Sequence, residues 1–365
     1  DRSPSRGLGD VYKRQGHPLT IEELDIAEPN AGEVKVRLTA CAICHSDVIL
    51  VDGGWGGDLP AVYGHEASGV VESIGSGVVD LKPADPVVVT LIRSCGNCHY
   101  CNQSIETQCD GAFPLDQQSP ISDSSGQVVS QGLNSGAFAE QVVVEQSQVC
   151  VVPEDIPLDV ASILACGVLT GFGAVVNTAQ VKAGSTVAVI GCGGVGINSI
   201  QGAVHAGASQ VIALDLLDDK LELAQQFGAT HAVNSAEKDC IDQVIALTGG
   251  RGVDYVFVTV GAKAAIEQSV SFLAKSGTAV IVGMPASGVM AQYDPGELAA
   301  RGQSVLGSKM GSGSVKRDIP RLAALYQSGE LKLDQMISGR YALEDINEAI
   351  ASVKRGEALR NVVIF

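Results

Sequence analysis

The chain reads as an α/β protein in which a mostly-β portion precedes a doubly wound parallel sheet. Three observations predict this. Between Leu19 and Val152, short runs alternate apolar and polar residues, the period of half-buried strands. From Thr186 to Leu306, strand-like and helix-like runs take turns, which builds a parallel sheet with helices on its faces. At the first of those junctions a glycine-rich loop, Gly191-Cys192-Gly193-Gly194-Val195-Gly196, separates an apolar strand from a helical period.

With 365 residues the chain is long enough for two domains of roughly 100–200 residues each. Hydrophobic residues make up 45%, enough for a large core, and the 43 glycines allow many tight turns. A formal net charge of -17 repels phosphate backbones and anionic membranes, which argues against nucleic acid and membrane partners. No apolar run reaches the roughly 18 residues of a membrane span, and no secretory signal is visible. The ten cysteines fall mostly at metal-ligand spacing. That favours metal sites in a reducing, cytoplasmic setting over a disulfide framework.

Taken in order, Asp1 to Gln15 is polar, carries Arg2, Arg6, Lys13 and Arg14, and lacks sustained periodicity. It reads as a disordered tail. It is also similar to a translated sequencing-adapter read, which would make it foreign to the native chain. Leu19 and Ile21, then Val34, Val36 and Leu38, alternate as strands around the turn Glu28-Pro29-Asn30-Ala31-Gly32. Ala67 to Val71, Val87 to Leu91, Ala137 to Val144 and Val149 to Val152 continue the pattern. In Lys82-Pro83-Ala84-Asp85, a type II turn wants glycine where Ala84 stands, so the turn is either type I or strained. Asp110 to Asn134 is polar, lacks Lys and Arg, and reads as a long surface loop over an active-site mouth. Asp159 to Thr178 has helical spacing and contains Cys166. Val315 to Tyr326 and Leu343 to Val353 read as helices, and Val362 to Phe365 as a closing strand.

Two groups of residues carry metal chemistry. Cys44 and His65 pair a thiolate with an imidazole, a set that suits zinc. A catalytic zinc takes three protein ligands and keeps its fourth position open, and Cys166 is the best third candidate. Cys95-x2-Cys98-x2-Cys101-x7-Cys109 can wrap a closed, tetrahedral structural zinc, with an iron–sulfur cluster as the rival. His99, within that lobe, reads as a surface residue. Gly191, Gly193 and Gly196 fill a G-x-G-x-x-G pattern between strand and helix. Gly194 and Val195 complete a backbone that a pyrophosphate can approach at the helix N-terminus. Asp215, at the end of the next strand, would take the adenosine ribose hydroxyls; its charge disfavours a 2′-phosphate, so NAD is expected over NADP.

Together these residues resemble the zinc-dependent alcohol dehydrogenases of the medium-chain dehydrogenase/reductase superfamily. Carriers of the resemblance are Cys44-His45-Ser46-Asp47, Gly64-His65-Glu66-x2-Gly69-x5-Gly75, the four-cysteine lobe, Cys166-Gly-Val-Leu-Thr-Gly171, the Gly191 loop and Arg360. The resemblance implies a GroES-like catalytic domain over 16–165, completed by 310–365, and a Rossmann NAD-binding domain over 166–309, with the active site in the cleft between them. It implies two zinc ions per chain and NAD as cofactors. Ser46 would take the alcohol proton while a hydride passes between the zinc-bound alcohol and the nicotinamide, giving an aldehyde or ketone. Asp47 would orient His65 by a hydrogen bond, and Glu66 would approach the metal. His45 would meet the pyrophosphate, and Thr170, Val195, Lys220, Val260, Val282 and Arg360 match cofactor-contact positions. Trp55 and Met284 would line an apolar pocket suited to a primary or secondary alcohol. A homodimer or homotetramer is implied as the assembly. The chain departs from the family at Ile49, where a relay histidine is usual, at Ala84, and in its first 15 residues.

Rival readings stay open. A polyol dehydrogenase would often carry a carboxylate in place of Cys166, and an S-hydroxymethyl thiol-adduct dehydrogenase would need a cation that Asp110–Asn134 lacks. Outside enzymes, the alternatives are a zinc-ribbon nucleic-acid module, opposed by the acidity, and a redox sensor working through Cys150, Cys192 or Cys240.

Overall fold

A computed structural model describes residues 5–14 and 16–365. The chain divides into two compact units, one running to Cys166 and resumed by Ser314–Phe365, the other Gly167–Gly313.

The first unit is built on two sheets. In the larger, Glu33–Ala42 is central. It pairs antiparallel with Glu66–Ile74 on one side and with Arg360–Ile364 and Gln141–Glu145 on the other. Pro86–Val89 and Val149–Val151 extend one edge, and Ile337–Ala342 lies parallel to the closing strand. Val34, Val36, Leu38 and Cys41 join one buried cluster with Val142, Val144 and Val363, so these strands form by burying an apolar face. The register places Ala42 opposite both Glu66 and Val362. Three neighbouring strands therefore end or begin together, and the residues at those ends are Cys44, His65, Glu66 and Arg360.

The smaller sheet corrects two expectations. Ser5–Val11 is not a disordered tail: it pairs antiparallel with Thr20–Ile26 from Ser5↔Ile26 to Val11↔Thr20. Val11 and Tyr12 are buried, and the glycines and Asp10 between the apolar residues hid the strand alternation. Residues 1–4 and 15 of that stretch lie outside the described residues. Nor is Asp110–Asn134 a bare loop. It forms a helical turn, Pro114–Gln117, and a hairpin, Ile121–Asp123 with Val128–Gln131, joined to the sheet through Ile26↔Ile121. Arg93, buried beneath it, donates to Gln148 Oε1 at 2.8 Å and Asp116 Oδ1 at 2.5 Å and reaches the Asn134 carbonyl at 3.1 Å. The turn at Pro83 is the strained alternative: Ala84 has φ +73°, and the Asp85 N–H donates to Lys82 O at 3.2 Å.

The second unit is a six-stranded sheet in the order His231–Asn234, Gln210–Asp215, Thr186–Ile190, Val253–Val258, Leu273–Ile281, Ser304–Gly307. Every pairing is parallel. The order reverses beside Thr186–Ile190, the doubly wound arrangement. All five residues of that strand are buried, as a strand covered on both faces requires. The expected helix over Asp159–Thr178 is broken. Leu158–Ser162 and Ile163–Ala165 precede Cys166, whose φ of -140° is not helical, and Gly167–Gly173 follows. Among the described residues no single helix is long and apolar enough to cross a membrane.

Asp10 is fully buried, and neither of its side-chain oxygens has a hydrogen-bond partner. Burial holds its carboxyl well above the usual carboxylate range. The folded chain therefore keeps this proton where the unfolded chain releases it. Stability from this position is intact below the ordinary carboxylate range and is lost as pH rises through it toward the folded value. Asp10→Val is expected to stabilise the protein at pH 7 by about 1–3 kcal/mol, the cost of an unsatisfied buried polar group. Denaturant melts at pH 7 and pH 4 check this; the gain should shrink at the lower pH.

Candidate active site

Cys44 follows the central strand of the larger sheet and stands at the start of the helix His45–Val51. The Ile43 N–H bonds the Asn361 carbonyl at 2.8 Å, which anchors this corner to the closing strand. Asp47, one turn into the helix, folds back. Its Oδ2 accepts the Cys44 N–H at 2.9 Å, and its Oδ1 accepts the Gly64 N–H at 3.1 Å and pairs with His65 Nδ1 at 2.9 Å. Gly64 is required: its φ is +87°, and a Cβ there would stand 2.6 Å from the Phe138 nitrogen.

One ligand atom each from Cys44, His65, Glu66 and Cys166 lies within 4.8 Å of the others, and all four residues are buried. His65 Nε2 has no hydrogen-bond partner although fully buried. Burial pulls the ring toward neutrality, but Asp47 and Cys44 outweigh it and hold His65 well above its ordinary value. With Nδ1 committed to Asp47, Nε2 is the nitrogen at which a metal ion would take the place of that second proton. The Cys44 thiol is held well below its ordinary value, first by the Cys166 thiol donating to it, then by Arg360 and His65, against the effect of burial. Burial pushes Glu66 up to about 8, while Arg360 pulls the other way. Arg360 Nη2 stands 3.2 Å from Glu66 Oε1, an ion pair without hydrogen-bond alignment. Two thiols, an imidazole with a free nitrogen and a nearby carboxylate fit a catalytic zinc.

The second cluster, Cys95, Cys98, Cys101 and Cys109, is likewise gathered within 4.8 Å. Backbone N–H groups point at its sulfurs: Cys95 and Gly111 at Cys109 Sγ, both at 3.3 Å, and Cys101 at Cys98 Sγ at 3.4 Å. The Asn97 N–H leads in bringing the Cys95 thiol down to about 7. This donor set fits a closed tetrahedral ion. His99 is exposed and takes a hydrogen bond from Gln103.

In the second unit the glycine loop has the shape a pyrophosphate needs. Gly191 has φ +93°, and a Cβ on Gly196 would stand 1.7 Å from the Gly191 oxygen. A Cβ on Gly193 would meet nothing within 4 Å, so protein packing alone does not demand a glycine there, whereas close ligand approach does. Gly194 and Val195 open the helix Gly194–His205. Asp215 Oδ2 accepts the Cys192 N–H at 2.7 Å and Oδ1 the Leu217 N–H at 3.1 Å. Val260 packs over Gly191, Val282 and Thr170 are buried, Lys220 is half-buried, and Met284 is exposed.

In the first unit, His45 is exposed, Ser46 and Ile49 are half-buried on one helix, and Trp55 packs against the core cluster. Arg360, expected at the cofactor, stands beside Glu66 and the thiols in the first unit. Sequence reasoning missed two supporting residues. Thr259 donates from Oγ1 toward the Gly191 carbonyl at 2.8 Å and fixes the loop; its place at a strand end was the available signal. Arg93, just before the four-cysteine lobe, is tied to the helical turn Pro114–Gln117 through Asp116, and to Gln148, and gave no sequence signal.

Asp47→Asn puts an amide where three donors converge. It is expected to weaken zinc retention at the Cys44 site by 10–100-fold, the usual effect of losing a metal ligand's supporting carboxylate. Zinc counted before and after chelator treatment checks this, and the ion of the four-cysteine lobe should remain.

The family model described as an alcohol dehydrogenase GroES-like domain matches residues 30–154, and that described as a zinc-binding dehydrogenase matches 194–328. An NDMA-dependent alcohol dehydrogenase of Amycolatopsis methanolica is 38% identical, covering 97% of each chain. A Schizosaccharomyces pombe chain named for S-(hydroxymethyl)glutathione dehydrogenase is 37% identical over 95% of this chain and 93% of its own. The solved structure of a benzyl alcohol dehydrogenase from Acinetobacter calcoaceticus is similar with a TM-score of 0.92 and 33% identity, covering 99% of each. With both zinc-ligand sets and the glycine loop assembled, the chain belongs to the zinc-dependent alcohol dehydrogenases of the medium-chain dehydrogenase/reductase superfamily.

Proposed function

We propose that the protein catalyses reversible hydride transfer between NAD and a small apolar primary or secondary alcohol, with Cys44, His65 and Cys166 holding the catalytic zinc. The observation that carries this reading is the fully buried His65, whose Nε2 lacks a partner while Asp47 holds its Nδ1. Bound at these sites, the zinc supplies Lewis-acid polarisation of the substrate oxygen and the nicotinamide supplies the hydride acceptor.

The chain's own residues do the rest. Cys44, His65 and Cys166 leave one coordination position for the substrate. Asp47 keeps the imidazole in one tautomer and orientation. Ser46, at the first turn of the helix beside Cys44, takes the alcohol proton at Oγ. Ile49, one turn on, cannot pass that proton further, so it leaves by another route, through His45 or a cofactor hydroxyl. Arg360 places a positive charge beside the thiolates, and Glu66, pushed up to about 8 by burial, can hold a proton at neutral pH.

For the cofactor, Asp215 accepts from Cys192 and Leu217, which directs its carboxylate at the loop where ribose hydroxyls would lie and a 2′-phosphate would be repelled. A thiol-adduct substrate with carboxylates is disfavoured. No lysine or arginine occurs between Arg93 and Lys182, and Arg93 is already engaged by Asp116 and Gln148. Trp55 and Met284 are read as substrate contacts. The assembly is read as a homodimer or homotetramer, supported by the outermost strand Ser304–Gly307, where Leu306 is exposed. A cytoplasmic setting is read from the cysteines, six of which gather in the two candidate metal clusters.

NADH formation over a panel of alcohols, with NADP as control and zinc quantified in the same sample, tests the reading. Turnover on apolar alcohols with NAD and about two zincs per chain is expected; preference for NADP, or one zinc per chain, would overturn it. Ser46→Ala should lower kcat by about 10²–10⁴-fold, the worth of positioned proton transfer, with both zincs retained. Unchanged turnover would remove Ser46 from that role.

A further inference from the structure

We infer that Tyr12, immediately after the first strand, is a positioning residue for the metal site of the first unit, holding the segments that deliver Cys44 and His65 at their working separation. This rests on the reading that Cys44, His65 and Cys166 bind a metal ion.

The two ligand-bearing segments are joined from inside by Asp47. Tyr12 joins them again from the other end. Its ring is fully buried. Its hydroxyl donates to the Val51 carbonyl and accepts the Gly16 N–H, and the Gly16 N–H also reaches Val51 O at 3.2 Å. Val51 ends the helix that Cys44 starts. A helix's last carbonyls have no partner within it, and no basic side chain stands in this last turn. The hydroxyl, together with the Gly16 N–H, satisfies a carbonyl that the helix itself leaves without a partner. The helix has seven residues, about 10 Å, so a tether at its end constrains its start.

On the other segment, Tyr12 N–H donates to the Ala61 carbonyl at 2.7 Å, and Ala61 N–H donates back at 3.1 Å. The Tyr12 ring tilts against Tyr63, with centroids 5.4 Å apart. Tyr63 immediately precedes Gly64 and His65. Asp10 N–H bonds the Phe138 carbonyl at 2.9 Å, and Phe138 N–H bonds Tyr63 O at 2.8 Å. Phe138 is the residue that makes Gly64 indispensable. One side chain thus touches the end of the Cys44 helix and the residue next but one before His65. A shift of either segment has to break the hydroxyl bond or the ring contact.

Tyr12→Phe keeps the ring and the main-chain pairing and removes only the hydroxyl tie. With a chromogenic chelator, zinc should leave the Cys44 site on the order of tenfold faster, as for other groups that support metal ligands. Release from the four-cysteine lobe should not change, and the absorption bands of cobalt substituted at the Cys44 site should shift. A general loss of stability would instead speed both releases together. Equal acceleration at both sites, or an unchanged release rate and cobalt spectrum in folded Tyr12→Phe, would overturn the inference.

A second measurement needs no variant. Coupling between tether and metal is reciprocal. Removing the catalytic-site zinc from the unaltered protein should raise amide exchange at Tyr12, Gly16 and Ala61, and unchanged exchange there would also overturn it. A single zinc per chain in the unaltered protein, held by the lobe alone, would overturn the metal reading itself, which is a separate result.

Discussion

The Asp47 carboxylate is the contact on which the metal-side geometry depends. It accepts from three donors: the Cys44 backbone, the Gly64 backbone and the His65 ring. A carboxylate has the lone pairs to serve all three, whereas an amide would turn N–H groups toward one of them. Because the donors come from positions 44, 64 and 65, the helix start and the strand start become one object. Burial makes this rigid, since a partnerless donor at this depth costs about 1–3 kcal/mol. Gly64 then follows from packing, because the turn that brings its N–H to Asp47 also presses it on Phe138.

Charge supplies the second constraint. Cys44, Cys166, Asp47 and Glu66 are four potential anions in a buried volume, faced by the fixed cation Arg360 and by His65. Two protein responses are visible. The thiols share a proton, Cys44 going down as Cys166 goes up, and Glu66 rises toward neutrality. Both relieve an excess of negative charge that a divalent cation would cancel directly. The four-cysteine lobe meets the same demand differently, by turning backbone N–H groups onto its sulfurs near the surface.

How much of this could be read in advance depended on whether the signal was local. The four-cysteine spacing, the Gly191 loop and the Cys44–Asp47 run are each written in consecutive residues, and the structure gathers each as expected. Cys166 was identified from the need for a third ligand, but its place at a break between two helices was not legible, because the apolar spacing runs through it. Arg360 was assigned to the cofactor. Its nearness to Glu66 comes from the pairing of Val362 with Ala42, a contact across the length of the chain that no local pattern encodes. The strand at Ser5–Val11 was misread because its glycines and Asp10 break the alternation. The hairpin at 121–131 was missed because its strands are only three and four residues long, too short to show a period. In both cases the partner strand, and not the residues themselves, decides the conformation.

Ile49 is the departure with the most chemical consequence. On a helix, positions 45 and 46 share a face with 49, so an acceptor at 49 would continue a proton path from Ser46. Isoleucine ends that path with an apolar, half-buried side chain. His45 lies on the exposed side of the same helix. In the proposed reading the helix places the Ser46 hydroxyl beside an apolar side chain that cannot carry a proton onward. The same substitution adds apolar surface next to Ser46. If Ser46 is the proton acceptor, as proposed, an apolar neighbour at 49 is matched by substrates whose bulk is hydrocarbon, because a polar group buried against it would go without a partner.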